Sequence, residues 1–136
     1  MRAVFDTNII ISAMLSVGGS PAQALALAWR SEFEVYYCPP IFAEYERVLN
    51  RPKFKLSRGQ IDGVLNKVSS LWINAVPPRS SVFAMDDNTD RIFYDTAKHY
   101  GAILVTGNLK HYPRESPVMN PHDFLEYYRQ RANDYF

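Results

Sequence analysis

The chain has 136 residues, of which 47% are hydrophobic and 21% charged, and its formal net charge is +1. This length suits one domain that buries roughly two-thirds of its unfolded surface, and we expect a single domain over residues 1–136. The near-zero charge excludes a protein that binds polyanions through overall charge, so nucleic acid would require a local basic patch. The lone Cys38 excludes an internal disulfide and a cysteine zinc cage, and it favours a reducing, cytoplasmic setting. Apolar runs reach only about six residues, so neither a membrane span nor a signal peptide is expected.

Short apolar segments with β-branched or aromatic residues predict the strands. None of them alternates cleanly between apolar and polar residues, which is typical of parallel strands buried on both faces. They span residues 2–5, 34–38, 73–76 and 102–105, and a fifth short strand is indicated within 116–120.

Helical segments separate these strands, and most of them open with residues that commonly begin a helix. A long loop over residues 77–88 precedes the fourth helix. The predicted helices, each with its opening residue, are 20–31 (Ser20 as N-cap, then Pro21), 39–50 (Pro40), 57–71 (Ser57), a helix after Asp87, and 120–132 (Asn120).

This alternation predicts an α/β fold: a three-layer α/β/α sandwich with a central, mainly parallel sheet of four to five strands. The carboxyl ends of parallel strands share one edge, and ligands bind at that edge. Polar residues follow the strands at this edge: Asp6 after the first, Glu44 one turn into the helix after the second, Asp90 at the start of the helix after the third, and Thr106, Gly107 and Asn108 after the fourth.

Helical periodicity separates the candidate acids from ordinary surface charges. Glu44 borders the apolar face of its helix and Asp90 lies at the margin of its own, whereas Asp95 faces the opposite way and is expected at the surface. Taken singly, each candidate has a simpler explanation, Asp6 or Asp90 as a helix cap and Glu44 as a surface residue. Taken together, acids at one edge repel one another unless a cation lies between them. Oxygen ligands without cysteines or paired histidines favour Mg²⁺ or Mn²⁺ over zinc.

Four segments, in chain order, resemble the successive motifs of PIN domains. They are VFDTNIIISA at 4–13, PPIFAEYERVL at 39–49, DDNTDRIFYDTA at 86–97 and GAILVTGNLKHYP at 101–113. Each motif is weak alone, but four in register over nearly the whole chain are specific. The resemblance is particularly to bacterial and archaeal members that act as toxins of toxin–antitoxin pairs.

The resemblance implies a Mg²⁺- or Mn²⁺-dependent endoribonuclease, in which a metal-activated water attacks a phosphodiester in line. It also implies an antitoxin protein as partner and a homodimer or higher oligomer. Many members carry an aspartate where this chain has Asn108, whose amide can bind a cation but adds no charge, so a second metal is less expected. The catalytic positions it implies are Asp6, Glu44, Asp90 and Asn108, the first three as metal ligands, with Thr7, Asn8 and Thr106 in support.

A basic segment would offer such an enzyme a surface for single-stranded RNA. Residues 47–58 carry five basic side chains, no acid, and Phe54, which could stack on a base. The alternative is a solvated basic loop. His111 is either a substrate contact or a surface residue, and His99 is expected to be exposed. The predicted RNA-binding residues are Arg51, Lys53, Lys55, Lys110 and His111, with Arg114 as a further phosphate contact.

Two other functions stay open. The first is a PIN fold whose site, weakened by Asn108, only binds RNA or protein. The second is an aspartyl phosphatase or phosphotransferase with Asp6 as nucleophile, although the acid such enzymes use two residues later is Asn8 here. The aromatic residues of the last segment predict a core face, a homodimer contact or an antitoxin groove; they are Phe124, Tyr127, Tyr128 and Tyr135.

Overall fold

The structure is a computed structural model that describes residues 1–79, 88–114 and 117–134. Most of the predicted 77–88 loop, with Asp86 and Asp87, lies outside these residues, as does Tyr135. The strands are β1 (Arg2–Phe5), β2 (Glu34–Tyr37), β3 (Ile73–Asn74), β4 (Ile103–Val105) and β5 (Val118–Met119). The helices are α1 (Thr7–Leu15), α2 (Ser20–Trp29), α3 (Pro39–Leu49), α4 (Arg58–Leu71), α5 (Asn88–His99) and α6 (Pro121–Asn133).

The strands form one parallel sheet in the order β3-β2-β1-β4-β5, which confirms the predicted α/β/α sandwich with five strands. β1 lies at the centre, and Ala3, Val4 and Phe5 are fully buried. Because successive side chains of a strand point to opposite faces, this run is covered on both sides. The missing alternation in the sequence follows from that burial.

The register of β1 and β4 brings two distant polar residues side by side. Phe5 pairs with Val105, and the Asp6 backbone N–H donates to the Val105 carbonyl at 3.0 Å. Asp6 and Thr106 therefore leave adjacent strands at the same edge of the sheet. This is the edge at which the sequence analysis expects a ligand.

Several helix starts match their sequence signals, and two do not. Ser57 forms a full capping box with Gln60, and Asn120 accepts from the Asp123 N–H, as expected for N-caps. The prediction of Ser20 as N-cap is wrong, since Gly19 takes that position. The prediction that the next helix opens with Pro40 is also wrong, because α3 begins at Pro39 with Cys38 as its N-cap. α1 is absent from the predicted order, because the run Ile9 to Ile11 has the β-branched composition of a strand. All three isoleucines are buried, so packing outweighs their local preference.

Asp95 is buried, and the prediction of a surface charge is wrong. Its exposed fraction is 5%, and its Oδ1 has no hydrogen-bond partner among the described residues. The residues from Phe93 to Ala97 are all buried, and five consecutive helical positions cover more than one full turn. α5 is thus enclosed on every side here, with β1, β2, β4 and α3 packed around it. His99, two positions beyond this run, is exposed as expected.

Aromatic rings support the end of β1 that leads into Asp6. The Phe5 ring stacks on Trp72 at 5.6 Å and meets the edge of Phe124 at 6.0 Å. The Tyr45 hydroxyl donates to the Phe5 carbonyl at 2.6 Å. The backbone position of Asp6 is therefore set by the core.

In the described parts of the chain, each helix is too short or too polar to cross a membrane by itself. Only α1 and α2 together have the length and composition for a span, and they are bent by 107° relative to each other. Their apolar residues belong to the core, among them Ile10 and Leu25.

Candidate active site

The Asp6 carboxylate is held from three sides at the end of β1. Only 5% of the residue is exposed. Its Oδ2 accepts hydrogen bonds from Thr106 Oγ1 at 2.8 Å, Tyr112 Oη at 2.9 Å and Asn8 Nδ2 at 3.2 Å. Asp6 occupies the N-cap position of α1, but its side chain makes no capping hydrogen bond. Helix capping therefore does not account for this acid.

Asn8 and Thr106 extend the network to the segment after β4. The Asn8 Oδ1 accepts from the Gly107 N–H at 3.0 Å, and Thr106 Oγ1 accepts from the Asn108 N–H at 3.0 Å. Thr106 Oγ1 also accepts from Asn8 Nδ2 at 3.4 Å, so it receives two hydrogen bonds while donating one to Asp6, which fixes the Thr106 rotamer. Both residues contact the first acid, where the resemblance places supporting residues.

Burial raises the pKa of Asp6 above its ordinary value, because desolvation disfavours the charged form. The hydrogen bonds from Thr106 and Tyr112 favour the carboxylate and offset part of this shift. The N–H groups of Thr7 and Asn8 lower the pKa a little further, although neither has capping geometry. The balance leaves a buried negative charge that a cation would stabilise.

The raised pKa of Asp6 makes stability depend on pH in a definite direction. Between the ordinary value of 3.8 and the raised value, the folded chain keeps a proton that the unfolded chain has lost. Stability from this group is complete below that window and is lost as the pH rises through it. In chelator, we therefore expect the unfolding free energy of the wild type to fall relative to Asp6→Asn as the pH rises.

Urea unfolding of both proteins between about pH 3 and pH 8 measures this difference. Asp134→Asn, which removes an exposed acid, serves as the control and should follow the wild type. Parallel curves for wild type and Asp6→Asn would contradict the expectation.

Asp90, in the first turn of α5, is the second acid at this edge. Its side chain is 15% exposed, and its Oδ2 lies 3.1 Å from His111 Nδ1. The neighbouring residue, Tyr112, binds Asp6. Two consecutive residues after β4 therefore connect the two acids.

Tyr112 is the site residue that the sequence analysis missed. It is 5% exposed, and burial together with the charges of Asp6 and Asp90 raises the pKa of its phenol well above the usual range. A side-chain hydrogen bond with Asp90 adds to the shift. In the sequence its signals are its place in the fourth motif, residues 101–113, and the tendency of buried tyrosine hydroxyls to find a partner.

Glu44 lies apart from this cluster. Its carboxylate forms a two-pronged ion pair with Arg47, at 2.6 and 3.2 Å, and its side chain is 19% exposed. Among the residues that the structure describes, no three His, Cys, Asp or Glu side chains are grouped closely enough to hold a metal ion. The arrangement joins Asp6 to Asp90 and leaves Glu44 with Arg47.

Two further predicted site residues make no side-chain contact with the acids in the described part of the chain. Thr7 is buried, and its hydroxyl has no hydrogen-bond partner. Asn108 is exposed, and its contribution to the network comes from its backbone N–H.

The basic residues predicted to bind RNA fall in two places. Lys53 lies over the Phe54 ring at 5.1 Å, within the segment that follows α3. Lys110 flanks the His111–Asp90 pair, and together with Arg114 it borders a cavity of about 330 Å³. The apolar walls of that cavity are Leu109, Pro113 and Val118.

Comparison with known proteins gives three findings. Residues 2–110 match the family model described as PIN domain. An uncharacterised protein of Methanocaldococcus jannaschii is 28% identical over 111 residues, covering 79% of this chain and 71% of that protein. The chain is also similar in fold to one in the crystal structure of VapBC2 from Rickettsia felis bound to a DNA fragment from their promoter. That match has a TM-score of 0.58 and 19% identity, and it covers 81% of this chain and 90% of the other.

Proposed function

Because this chain belongs to the PIN domain family, we propose that it is a metal-dependent endoribonuclease that hydrolyses phosphodiester bonds of single-stranded RNA. The observation that supports this most directly is the buried Asp6 carboxylate, which is anchored by three donors and connected to Asp90 through the consecutive residues His111 and Tyr112. A chain that needed Asp6 only for folding would gain nothing from keeping a desolvated charge there.

The donor set fits a hard divalent cation. The side-chain donors to Asp6 all meet Oδ2, so Oδ1 receives none from a described side chain. Asp6 and Asp90 would hold Mg²⁺ or Mn²⁺ through carboxylate oxygens, the ligands these ions prefer. When bound, such an ion lowers the pKa of a water and neutralises charge on the scissile phosphate. Thr106 and Asn8 would keep Asp6 oriented during the reaction.

We propose Glu44 as a third ligand, which requires it to leave Arg47. The pair joins residues three apart on one helix, and the Arg47 side chain is 54% exposed. A divalent cation would offer Glu44 two positive charges in place of one, and the largely exposed Arg47 guanidinium would return to water. Asn108 would add no charge to such a site, which favours a single metal ion.

Lys110 and Arg114 lie in the segment that carries His111 and Tyr112, and this position supports a role for both in binding RNA phosphates near the acids. We expect Lys110→Ala/Arg114→Ala to raise KM for single-stranded RNA roughly tenfold, with a smaller effect on kcat, and to weaken the salt dependence of binding. Lys53→Ala/Lys55→Ala, which removes the same charge elsewhere, should raise KM less. Steady-state kinetics of the two double variants at several salt concentrations measure the change in KM and its salt dependence. An equal or larger effect of the Lys53/Lys55 variant on KM would show that RNA binds instead to the segment that follows α3.

The proposal is tested with purified protein on single-stranded RNA, duplex RNA and single-stranded DNA of one sequence, in Mn²⁺, in Mg²⁺ and in excess chelator. Cleavage of single-stranded RNA that depends on metal is the expected result. Turnover of a small phosphomonoester instead, with trapping of an aspartyl-phosphate mimic, would favour the phosphatase alternative. Asn8 argues against that alternative. Its amide is hydrogen-bonded to Asp6 and to Gly107, and an amide cannot act as the general acid that such enzymes use at this position.

A binding module is the second candidate, and the exposed, uncharged Asn108 favours it. A binder should retain RNA affinity when Asp6 and Asp90 are both changed to Asn, and Mg²⁺ should matter little to it. Measuring affinity and cleavage on the same double variant separates the two functions.

We further infer a toxin–antitoxin setting in the cytoplasm, with an antitoxin protein as partner and a homodimer or higher oligomer. The fold similarity to a chain of VapBC2 supports this inference. Co-expression with a small neighbouring reading frame, followed by light scattering of the purified complex, tests both the partner and the oligomer.

A further inference from the structure

The segment after β4 connects the two acids through consecutive side chains. His111 Nδ1 lies 3.1 Å from Asp90 Oδ2, and Tyr112 Oη lies 2.9 Å from Asp6 Oδ2. The two differ in exposure, since the His111 side chain is 54% exposed and Tyr112 is buried. Tyr112 is therefore the buried part of this connection, and His111 is the solvent-exposed part.

The chemistry of a phenol suits a position between two carboxylates. A hydroxyl has one hydrogen, so it can donate to only one of the two acids at a time. A phenol carries no charge near neutral pH, so it orders the acids without cancelling their charge. A lysine or arginine in the same place would form an ion pair and compete with a cation.

The hydrogen bond from Tyr112 to Asp6 also determines which oxygen of Asp6 is available to a cation. Tyr112 joins Thr106 and Asn8 on Oδ2, which leaves Oδ1 without a side-chain donor from the described residues. Thr106 and Asn8 bind Asp6 from the β4 side and from α1, whereas Tyr112 directly follows His111, whose Nδ1 lies 3.1 Å from Asp90 Oδ2. Loss of Tyr112 would leave Asp6 bound but no longer fixed relative to Asp90.

We propose that Tyr112 is a positioning residue, whose hydroxyl holds the Asp6 carboxylate in register with Asp90 so that the two acids bind one divalent cation. The inference rests on the proposed function and extends it to a residue outside the implied catalytic and supporting positions. Positioning of this kind changes metal affinity, as outer-shell partners of metal ligands generally do.

The test compares wild type, Tyr112→Phe and Tyr100→Phe by isothermal titration with Mn²⁺ and by steady-state cleavage of single-stranded RNA. Tyr100→Phe is the matched control, because it removes a hydroxyl that donates to the Val76 carbonyl. We expect Tyr112→Phe to weaken Mn²⁺ binding at least about tenfold and to lower kcat with little change in KM, while the control stays at wild-type values.

Thermal unfolding in chelator confirms that each variant is folded before titration. If Tyr112→Phe does not fold, Tyr112→Met fills the space without a hydroxyl and carries the same expectation. Wild-type Mn²⁺ affinity and kcat in the folded variant would overturn the inference. A wild type that binds Mn²⁺ but cleaves no RNA would overturn the proposed function and leave the effect on affinity as the test of Tyr112.

Discussion

Substitution of Asp6 by asparagine should abolish metal-dependent cleavage of single-stranded RNA while the chain stays folded. The change keeps the shape of the side chain and a carbonyl oxygen that can still accept from Thr106 and Tyr112. It removes the charge that would hold a cation at this edge. Loss of an outer-shell partner alone costs up to about 100-fold, so loss of a ligand charge should cost at least that much in kcat/KM.

Asp95→Asn provides the matched control, since it also removes a buried carboxylate but lies outside the hydrogen-bond network of Asp6. It should leave cleavage close to the wild-type rate. Circular dichroism and urea unfolding establish that both variants are folded. Wild-type cleavage by Asp6→Asn, or by the wild type in excess chelator, would eliminate the metal-dependent mechanism.

Phe5→Ala should lower the unfolding free energy by about 3–5 kcal/mol, the usual cost of removing a fully buried aromatic ring. Phe5 is 0% exposed and contacts the rings of Phe33, Trp72 and Phe124. Since Phe5 immediately precedes Asp6, the cavity should also loosen the carboxylate and reduce cleavage. This variant tests the coupling of the core to the site.

Urea unfolding of Phe5→Ala and of Phe54→Ala separates burial from residue type. Phe54 is only partly buried, so its truncation should cost clearly less. Equal losses for the two variants would mean that the cluster around Phe5 contributes no more than an ordinary surface ring.

The position of the site could be predicted because it follows from topology. An apolar run without alternation predicts a buried parallel strand, and parallel strands end at one edge. This rule alone is enough to group Asp6, Thr106 and Asp90 at one edge of the sheet. Ser57 and Asn120 could likewise be predicted as N-caps, because a cap depends on residues within one turn of helix.

The rest depends on contacts between residues far apart in the chain. Tyr112 reaches Asp6 across 106 positions, a separation that no local pattern can convey. Asp95 is predicted at the surface because a helical wheel assumes one buried face, whereas the part of α5 from Phe93 to Ala97 is buried all round. The ion pair that binds Glu44 to Arg47 depends on rotamers, which periodicity does not specify. The grouping of Glu44 with the other acids stays a prediction.

The sequence separation of the contacts around Asp6 also bears on how the protein is made. Asp6 is synthesised 100 residues before Thr106 and 106 residues before Tyr112. On the ribosome, a nascent chain would carry the carboxylate without these two donors until β4 had emerged and paired with β1. The arrangement that holds the Asp6 carboxylate therefore forms only after Tyr112 has left the ribosome.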